Sequence, residues 1–155
     1  MAAIYNEGID ERLATFSTEH VSPREEEVRI KNGGNKYPII VAISNPSKEV
    51  TGWASISEYS RRSCYTGIGE VSIYVKKEWR GRGIGGSLLE ALIAEAEANG
   101  YWKLIGRLFI SNKVSRNLCA SAGFREVGIL EKHGRLDGRW IDVVEVERLI
   151  PDNMA

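Results

Sequence analysis

The sequence predicts an α/β (α+β) fold, and three features carry the prediction. Glu70-Val71-Ser72-Ile73-Tyr74-Val75 alternates polar and apolar residues as a strand does; Arg80-Gly81-Arg82-Gly83-Ile84-Gly85-Gly86 follows as a glycine-rich turn; and Ser87 to Asn99 repeats apolar residues at helical spacing. Strand and helix patterns interleave along the rest of the chain in the order α-α-β-β-β-α-β-α-β-β. With 155 residues and no repeats, low-complexity segments or linker, residues 1–155 are expected to form one domain with enough chain for a core.

Residues 2–13 read as a helix and 15–21 as an irregular turn. Ser22-Pro23-Arg24-Glu25 starts a second helix, with Ser22 as N-cap, Pro23 at N1 and Glu25 at N3. Asn32-Gly33-Gly34-Asn35 breaks it. Tyr37 to Ser44 is an apolar strand, Asn45-Pro46-Ser47-Lys48 a hairpin turn, and Val50 to Tyr59 the next strand. A loop over 60–66 leads to a strand over 67–75. After the glycines, Leu88, Leu89, Leu92, Ile93 and Ala96 mark one helix face, which Asn99-Gly100 ends. Lys103 to Ile110 is a strand and Lys113 to Ser121 a helix closed by Gly123. Phe124 to Lys132 and Arg139 to Leu149 pair around Leu136-Asp137-Gly138.

Composition excludes several function classes. Hydrophobic residues make up 43%, charged residues 27%, and the formal net charge is zero. No basic block or basic-aromatic stripe suggests nucleic acid, and no apolar run approaches the eighteen or so residues of a membrane span. The first residues lack the charged and apolar regions of a signal peptide. Cys64 and Cys119 make neither a CxxC pair nor a disulfide framework, and a cytoplasmic location is expected. His20 and His133 are far apart in sequence, and no metal site is expected.

The glycine turn is the strongest chemical signal. Such a turn frees several backbone N–H groups to face one anion, and the following helix adds its positive end. Arg80 and Arg82 add charge, so a pyrophosphate suits the site. No Lys-Ser or Lys-Thr follows, which excludes a P-loop. Gly81, Gly83 and Gly86 fit the spacing of a dinucleotide fingerprint, but Lys76-Lys77-Glu78-Trp79 separates them from the strand. A tight turn without a ligand is the remaining alternative.

Arg80-x-x-Gly83-x-Gly85 resembles the acyl-CoA-binding motif of the GCN5-related N-acetyltransferases, the GNAT family. A companion pattern lies downstream in Asn112-x-x-Ser115, Leu118-Cys119 and Ala122-Gly123-Phe124, and the resemblance spans roughly residues 4–150. It implies a mixed central sheet flanked by helices, with a splayed strand pair that admits acetyl-CoA as cosubstrate, and no metal. The family's first strand is expected to be absent, because Met1 falls where the first helix is under way. An uncovered sheet edge invites association, and the family habit is a homodimer.

The same resemblance assigns roles. The backbone edge of Ile73, Tyr74 and Val75 is expected to pair with the pantetheine arm, with an N–H near Val75 meeting the thioester oxygen. Arg80, Gly81, Arg82, Gly83, Ile84, Gly85 and Gly86 hold the pyrophosphate. Asn112, Ser115 and Arg116 flank the arm; Asn112 also reads as a helix cap, and the two roles are compatible. Glu70 is the expected base: the branch of the family acting on phosphinothricin and methionine sulfoximine places its catalytic Glu at this offset, and partial burial would suit it to the task. By position alone Glu70 also fits a solvated strand end. Cys119 stands where many members carry a proton-donating Tyr; its other reading is a small residue packed under the helix. Phe16, in Ala14-Thr15-Phe16-Ser17-Thr18-Glu19, resembles that branch's acceptor-pocket segment. Arg62 aligns with its carboxylate-binding Arg, although an Arg pair in a loop is also ordinary surface. Trp140 and Asp142 match a branch motif read as structural or dimer-related.

The expected activity is acetyl transfer from acetyl-CoA to the α-amine of a small amino acid or glutamate analogue of the phosphinothricin, methionine sulfoximine or arsinothricin type, a detoxification. The alternatives are an N-terminal acetyltransferase of a ribosomal protein and a non-catalytic acyl-CoA-binding domain.

Overall fold

The computed structural model describes residues 1–154; Ala155, the last residue of the expected domain, lies outside the described residues. The elements in chain order are α1 (Ala2–Glu11), α2 (Pro23–Gly33), β1 (Ile39–Ile43), β2 (Val50–Glu58), β3 (Ile68–Val75), α3 (Ile84–Ala98), β4 (Lys103–Phe109), α4 (Lys113–Ser121), β5 (Arg125–Leu136) and β6 (Arg139–Leu149). The six strands form one mixed sheet in the order β1-β2-β3-β4-β6-β5. All neighbours are antiparallel except β3 and β4.

That parallel pair creates the opening. β3 and β4 pair only through Ile68–Lys103, Gly69–Leu104 and Glu70–Ile105. Beyond Glu70 they diverge, while β3 stays bonded to β2 as far as Val75 opposite Gly52. One edge of Ile73–Val75 is thus satisfied and the other faces the gap, as the splayed pair requires.

The sheet's two faces differ in chemistry because successive strand residues alternate. Leu88, Leu89, Leu92 and Ala96 of α3 pack on Ala54, Ile56, Leu104 and Val146, with Val71, Ile73 and Val75 against the same cluster. Fully burying a leucine contributes about 1.5–3 kcal/mol, so this stripe anchors α3 and fixes where its N-terminus points. On the opposite face α1 lies close to β3: a Cβ on Gly8 would come within 3.1 Å of the Tyr74 ring. Tyr5, Trp53 and Tyr74 pack there in tilted and edge-on contacts, with ring centroids 5.0 to 6.3 Å apart.

Several boundaries differ from the sequence reading. The first helix ends at Glu11 because Arg12 turns left-handed, with φ 56°. The first strand begins at Ile39, after a short 3-10 turn over Gly34–Lys36. The helix expected from Ser87 begins at Ile84, so Gly85 and Gly86 belong to its first turn. Gly85 fits there because a Cβ would approach Leu118 to 3.2 Å. The strand expected to stop at Lys132 runs to Leu136 across an irregularity between Leu130 and Gly134, where Lys132 has φ 48° and its N–H donates to Asp142 Oδ1. Asp142 is therefore a structural brace. The α2 start matches its sequence signature, with a reciprocal capping box between Ser22 and Glu25. The first regular element is α1, and β1 stands at a sheet edge. No helix among the described residues is long and apolar enough to cross a membrane.

Candidate active site

The gap between β3 and β4 opens into a cavity of about 390 Å³. Its floor is Ile73, Tyr74 and Val75. Arg80, Gly81, Gly83, Ile84, Gly85 and Gly86 form one end, Asn112, Ser115 and Leu118 one side, and Gly8, Glu11, Leu13 and Ala14 of the N-terminal segment the other.

The glycine end has the chemistry of an anion cradle. Gly81 and Gly83 have φ of +74° and +79°, which other residues rarely adopt. Gly83 is the N-cap of α3 and offers no side chain to the orphan amides of the first turn, the first helical bond being Ser87 N–H to Gly83 O at 3.1 Å. Apart from the local backbone and adjoining residues, no heavy atom of the described residues lies within 4 Å of where a Cβ would stand at Gly81, Gly83 or Gly86. Unpaired amides at a helix start, open space over them and an arginine beside them fit a pyrophosphate.

Each flanking residue has a defined partner. Arg80 donates from Nε to Val75 O at 2.9 Å and from Nη1 to both Glu11 oxygens, at 2.9 and 2.8 Å. Asn112 Oδ1 accepts from Ser115 N–H at 3.1 Å, capping α4, while Nδ2 donates to Leu13 O at 3.3 Å. The cap reading of Asn112 is thus realised, and the same side chain ties α4 to the end of α1 at the cavity wall.

Six expected residues fall outside the cavity lining: Arg82, Arg116, Cys119, Glu70, Arg62 and Phe16. Arg82 lies over the Trp79 ring at 4.7 Å and donates to Glu78 O, on the solvent side of the turn. Arg116 is held by Glu126 at 2.8 and 3.2 Å and by Ile110 O, bracing α4 against β5. Cys119 is 4% exposed and belongs to the α3-side core, where burial pushes its thiol up to about 11. The packing reading of Cys119 fits this placement, and the proton-donor reading does not. Burial likewise holds the Tyr74 phenol above its ordinary range, with a smaller contribution from Tyr5.

Glu70 lies five residues before Val75, on the face that carries Tyr74. Its Oε2 accepts from Arg107 Nη1 at 2.9 Å, and Arg107 Nε also donates to Glu145 Oε2 at 3.2 Å. The Arg107 guanidinium lies 5.9 Å from the Tyr59 ring centre, Tyr59 packs edge-on to Tyr65 at 5.6 Å, and Arg62 lies 5.6 Å over Tyr65. A chain of contacts therefore links Arg62 to Glu70. Phe16 sits elsewhere, 4.8 Å from Phe109 in a small cluster with Leu136 and Val143, where its ring would collide with any Cβ on Gly134. Nearby, the Tyr5 hydroxyl meets Thr15 Oγ1 at 3.1 Å and Ser17 Oγ at 2.8 Å. Sequence reasoning missed Glu11 and Arg107. Glu11 is one of many helix carboxylates, but Arg107 carries a signal, being the one charged residue in the interior of the Lys103–Phe109 strand.

The Acetyltransferase (GNAT) family profile matches residues 1–124. The chain belongs to the GNAT family. It is an acetyltransferase whose donor is acetyl-CoA. Over 145 residues the GNAT chain is 32% identical to the L-methionine sulfoximine/L-methionine sulfone acetyltransferase of Pseudomonas aeruginosa, covering 91% of this chain and 82% of that protein. A GNAT superfamily phosphinothricin acetyltransferase from Sinorhizobium meliloti, solved in complex with AcCoA, superposes with a TM-score of 0.90 at 31% identity, over 96% of this chain and 80% of that one. The ribosomal-protein-alanine N-acetyltransferase of Brucella melitensis superposes with a TM-score of 0.92 at 31% identity, over 96% and 91%.

Proposed function

We propose that this GNAT enzyme acetylates the α-amine of a small amino acid or glutamate analogue, of the phosphinothricin, methionine sulfoximine or arsinothricin type, and so confers resistance to such compounds. The observation that carries the reading is the line Arg62–Tyr65–Tyr59–Arg107–Glu70, which brings a candidate carboxylate anchor and a candidate base onto one surface. The similarity to acetyltransferases named for phosphinothricin and methionine sulfoximine supports it.

Acetyl-CoA supplies an activated acetyl group, and the chain's residues supply the rest. Arg62 holds the acceptor's carboxylate through paired charge-assisted hydrogen bonds. Glu70, fixed through Oε2 by Arg107, takes the proton from the acceptor's ammonium so that a neutral amine can attack. The free edge of Ile73–Val75 aligns the donor, and a backbone N–H near Val75 faces the carbonyl oxygen as charge builds there. Cys119 stays buried and the departing sulfur is protonated by solvent. Phe16 walls the acceptor side. We place this activity in a single domain of residues 1–155, acting as a homodimer in the cytoplasm.

A second reading, acetylation of a protein N-terminus, is favoured by the superposition on the Brucella enzyme. A coupled thiol-release assay separates the readings. Turnover with free glutamate analogues supports the proposal. Turnover only with a peptide bearing N-terminal alanine replaces it with the second reading, and acetyl-CoA binding without turnover of any amine leaves an acyl-CoA-binding domain.

A further inference from the structure

The donor cavity carries a carboxylate where its ligand brings a pyrophosphate. Glu11 lines the cavity, and its side chain is only 20% exposed against 42% for Arg80. Both Glu11 oxygens hold Arg80 Nη1, and Lys77 Nζ stands 3.9 Å from one of them. One turn earlier on α1, Glu7 Oε2 accepts from Lys77 N–H at 2.9 Å. Residues four apart share a helix face, so Glu7 and Glu11 together grip the connector between β3 and the glycine turn. The negative end of α1 points the same way. Nothing in pyrophosphate binding calls for a carboxylate paired with this arginine. Its visible effect is to occupy Nη1 of Arg80, while Nε remains fixed on Val75 O.

We propose that Glu11 is a positioning residue that trades Nη1 of Arg80 with the donor's pyrophosphate. Glu11 holds that nitrogen when the cavity is empty, and the phosphates take it when acetyl-CoA binds. Every binding event then breaks one ion pair, which weakens the hold on acetyl-CoA and on product CoA alike, since both carry the same pyrophosphate. Product leaves faster, and simple phosphates gain little from an arginine that is already paired. The inference rests on acetyl-CoA as donor and is independent of which amine accepts the acetyl group.

The test compares Glu11→Gln, Arg80→Gln and the double variant by calorimetric titration with CoA, with S-acetylpantetheine as a phosphate-free donor in the activity assay. Glu11→Gln is expected to tighten CoA binding about three- to tenfold at low salt, the scale of a half-exposed ion pair plus the relieved repulsion. The gain should fade as salt is raised, and the KM for S-acetylpantetheine should stay within about twofold of wild type, the scale of an unchanged neutral contact. In the Arg80→Gln background Glu11→Gln should have no effect on CoA, because its partner is gone. Glu11→Ser serves the same comparison if the glutamine variant does not fold. Unchanged or weaker CoA binding by a folded variant, an equal change with S-acetylpantetheine, or a gain that persists without Arg80 would each overturn the proposal. Failure of the acceptor reading would instead appear as missing turnover with normal CoA titrations.

Discussion

Replacing Gly83 by Asp tests the donor cradle most directly. Gly83 is the N-cap of α3 with φ +79° and ψ −2°, and the space around its would-be Cβ is open. Two effects on folding oppose each other. Left-handed backbone costs a non-glycine residue about 1–2 kcal/mol, least for Asn and Asp, whereas an Asp N-cap satisfies orphan amides for about 1 kcal/mol. The variant should therefore fold with a melting temperature near wild type. Binding suffers on both counts, because the new carboxylate caps the amides that would meet the pyrophosphate and repels its charge. Two unit charges 4 Å apart near a protein surface interact by about 4 kcal/mol. Discounting for the open mouth leaves about 3 kcal/mol, or roughly a 150-fold weakening of acetyl-CoA binding. Gly83→Asn separates the terms, since it caps without charge and should lose only about fivefold, roughly the worth of one hydrogen bond of about 1 kcal/mol. Calorimetric titration reads both. A folded Gly83→Asp protein with wild-type affinity would show that the pyrophosphate does not lie on this turn.

The other predictions concern chemistry and stability. Glu70→Gln should leave acetyl-CoA affinity intact and lower turnover by roughly 10²–10⁴-fold, the usual worth of a general base; the loss should shrink as pH rises and more amine is already neutral, and an equal loss at every pH would instead mark a positioning role. Arg62→Ala should weaken the KM for amino-acid acceptors by roughly ten- to a hundredfold, the equivalent of a charge-assisted bond of about 1.5–3 kcal/mol, and leave that for acetyl-CoA unchanged. Esterifying the acceptor's α-carboxylate should then add little further loss; independent losses would disconnect Arg62 from the carboxylate. Burial raises the Cys119 thiol from an ordinary value near 9 to about 11. The folded state then binds more protons than the unfolded state across this window, so stability present below about pH 9 is lost as pH rises toward 11, by about 2–3 kcal/mol. Cys119→Ala should flatten that part of the urea-denaturation profile and leave the pH profile of turnover unchanged; a shifted turnover profile would return Cys119 to the chemistry.

The donor half was legible because its signals are local. A strand, a turn with two positive-φ glycines and an apolar helix stripe are each encoded within about ten residues, and together they place the cradle. Asn112 was legible for the same reason, since its cap lies three residues ahead. The helix start was misread by three residues because glycine's low helical propensity argued against Gly85 and Gly86. The close approach of Leu118, a tertiary fact, is what makes room for glycine there. Cys119 was ambiguous for a related reason: α4 presents both a cavity side and a core side, and only the packed structure assigns residues between them. Glu11 had no sequence signature, because its partner Arg80 is 69 residues away; Arg107 showed as a charge within a strand, but its partners Glu70 and Glu145 are 37 and 38 residues away and could not be read from it.

The segment from Tyr5 to Phe16 joins the two halves of the site. On the donor side, Glu7 and Glu11 hold Lys77 and Arg80, and Leu13 O takes Asn112. On the opposite sheet face, Tyr5 packs edge-on against Tyr74 and its hydroxyl reaches Thr15 and Ser17, next to Phe16. β3 lies between, with Ile73 and Val75 turned toward α3 and Tyr74 toward α1. A shift of α1 would therefore move the wall of the cavity and the Phe16–Phe109 cluster together. If acetyl-CoA takes Arg80 from Glu11, α1 loses one of its ties to the connector. Filling the donor site would then be felt on the Phe16 side of α1, and by reciprocity a ligand there would be felt at Arg80.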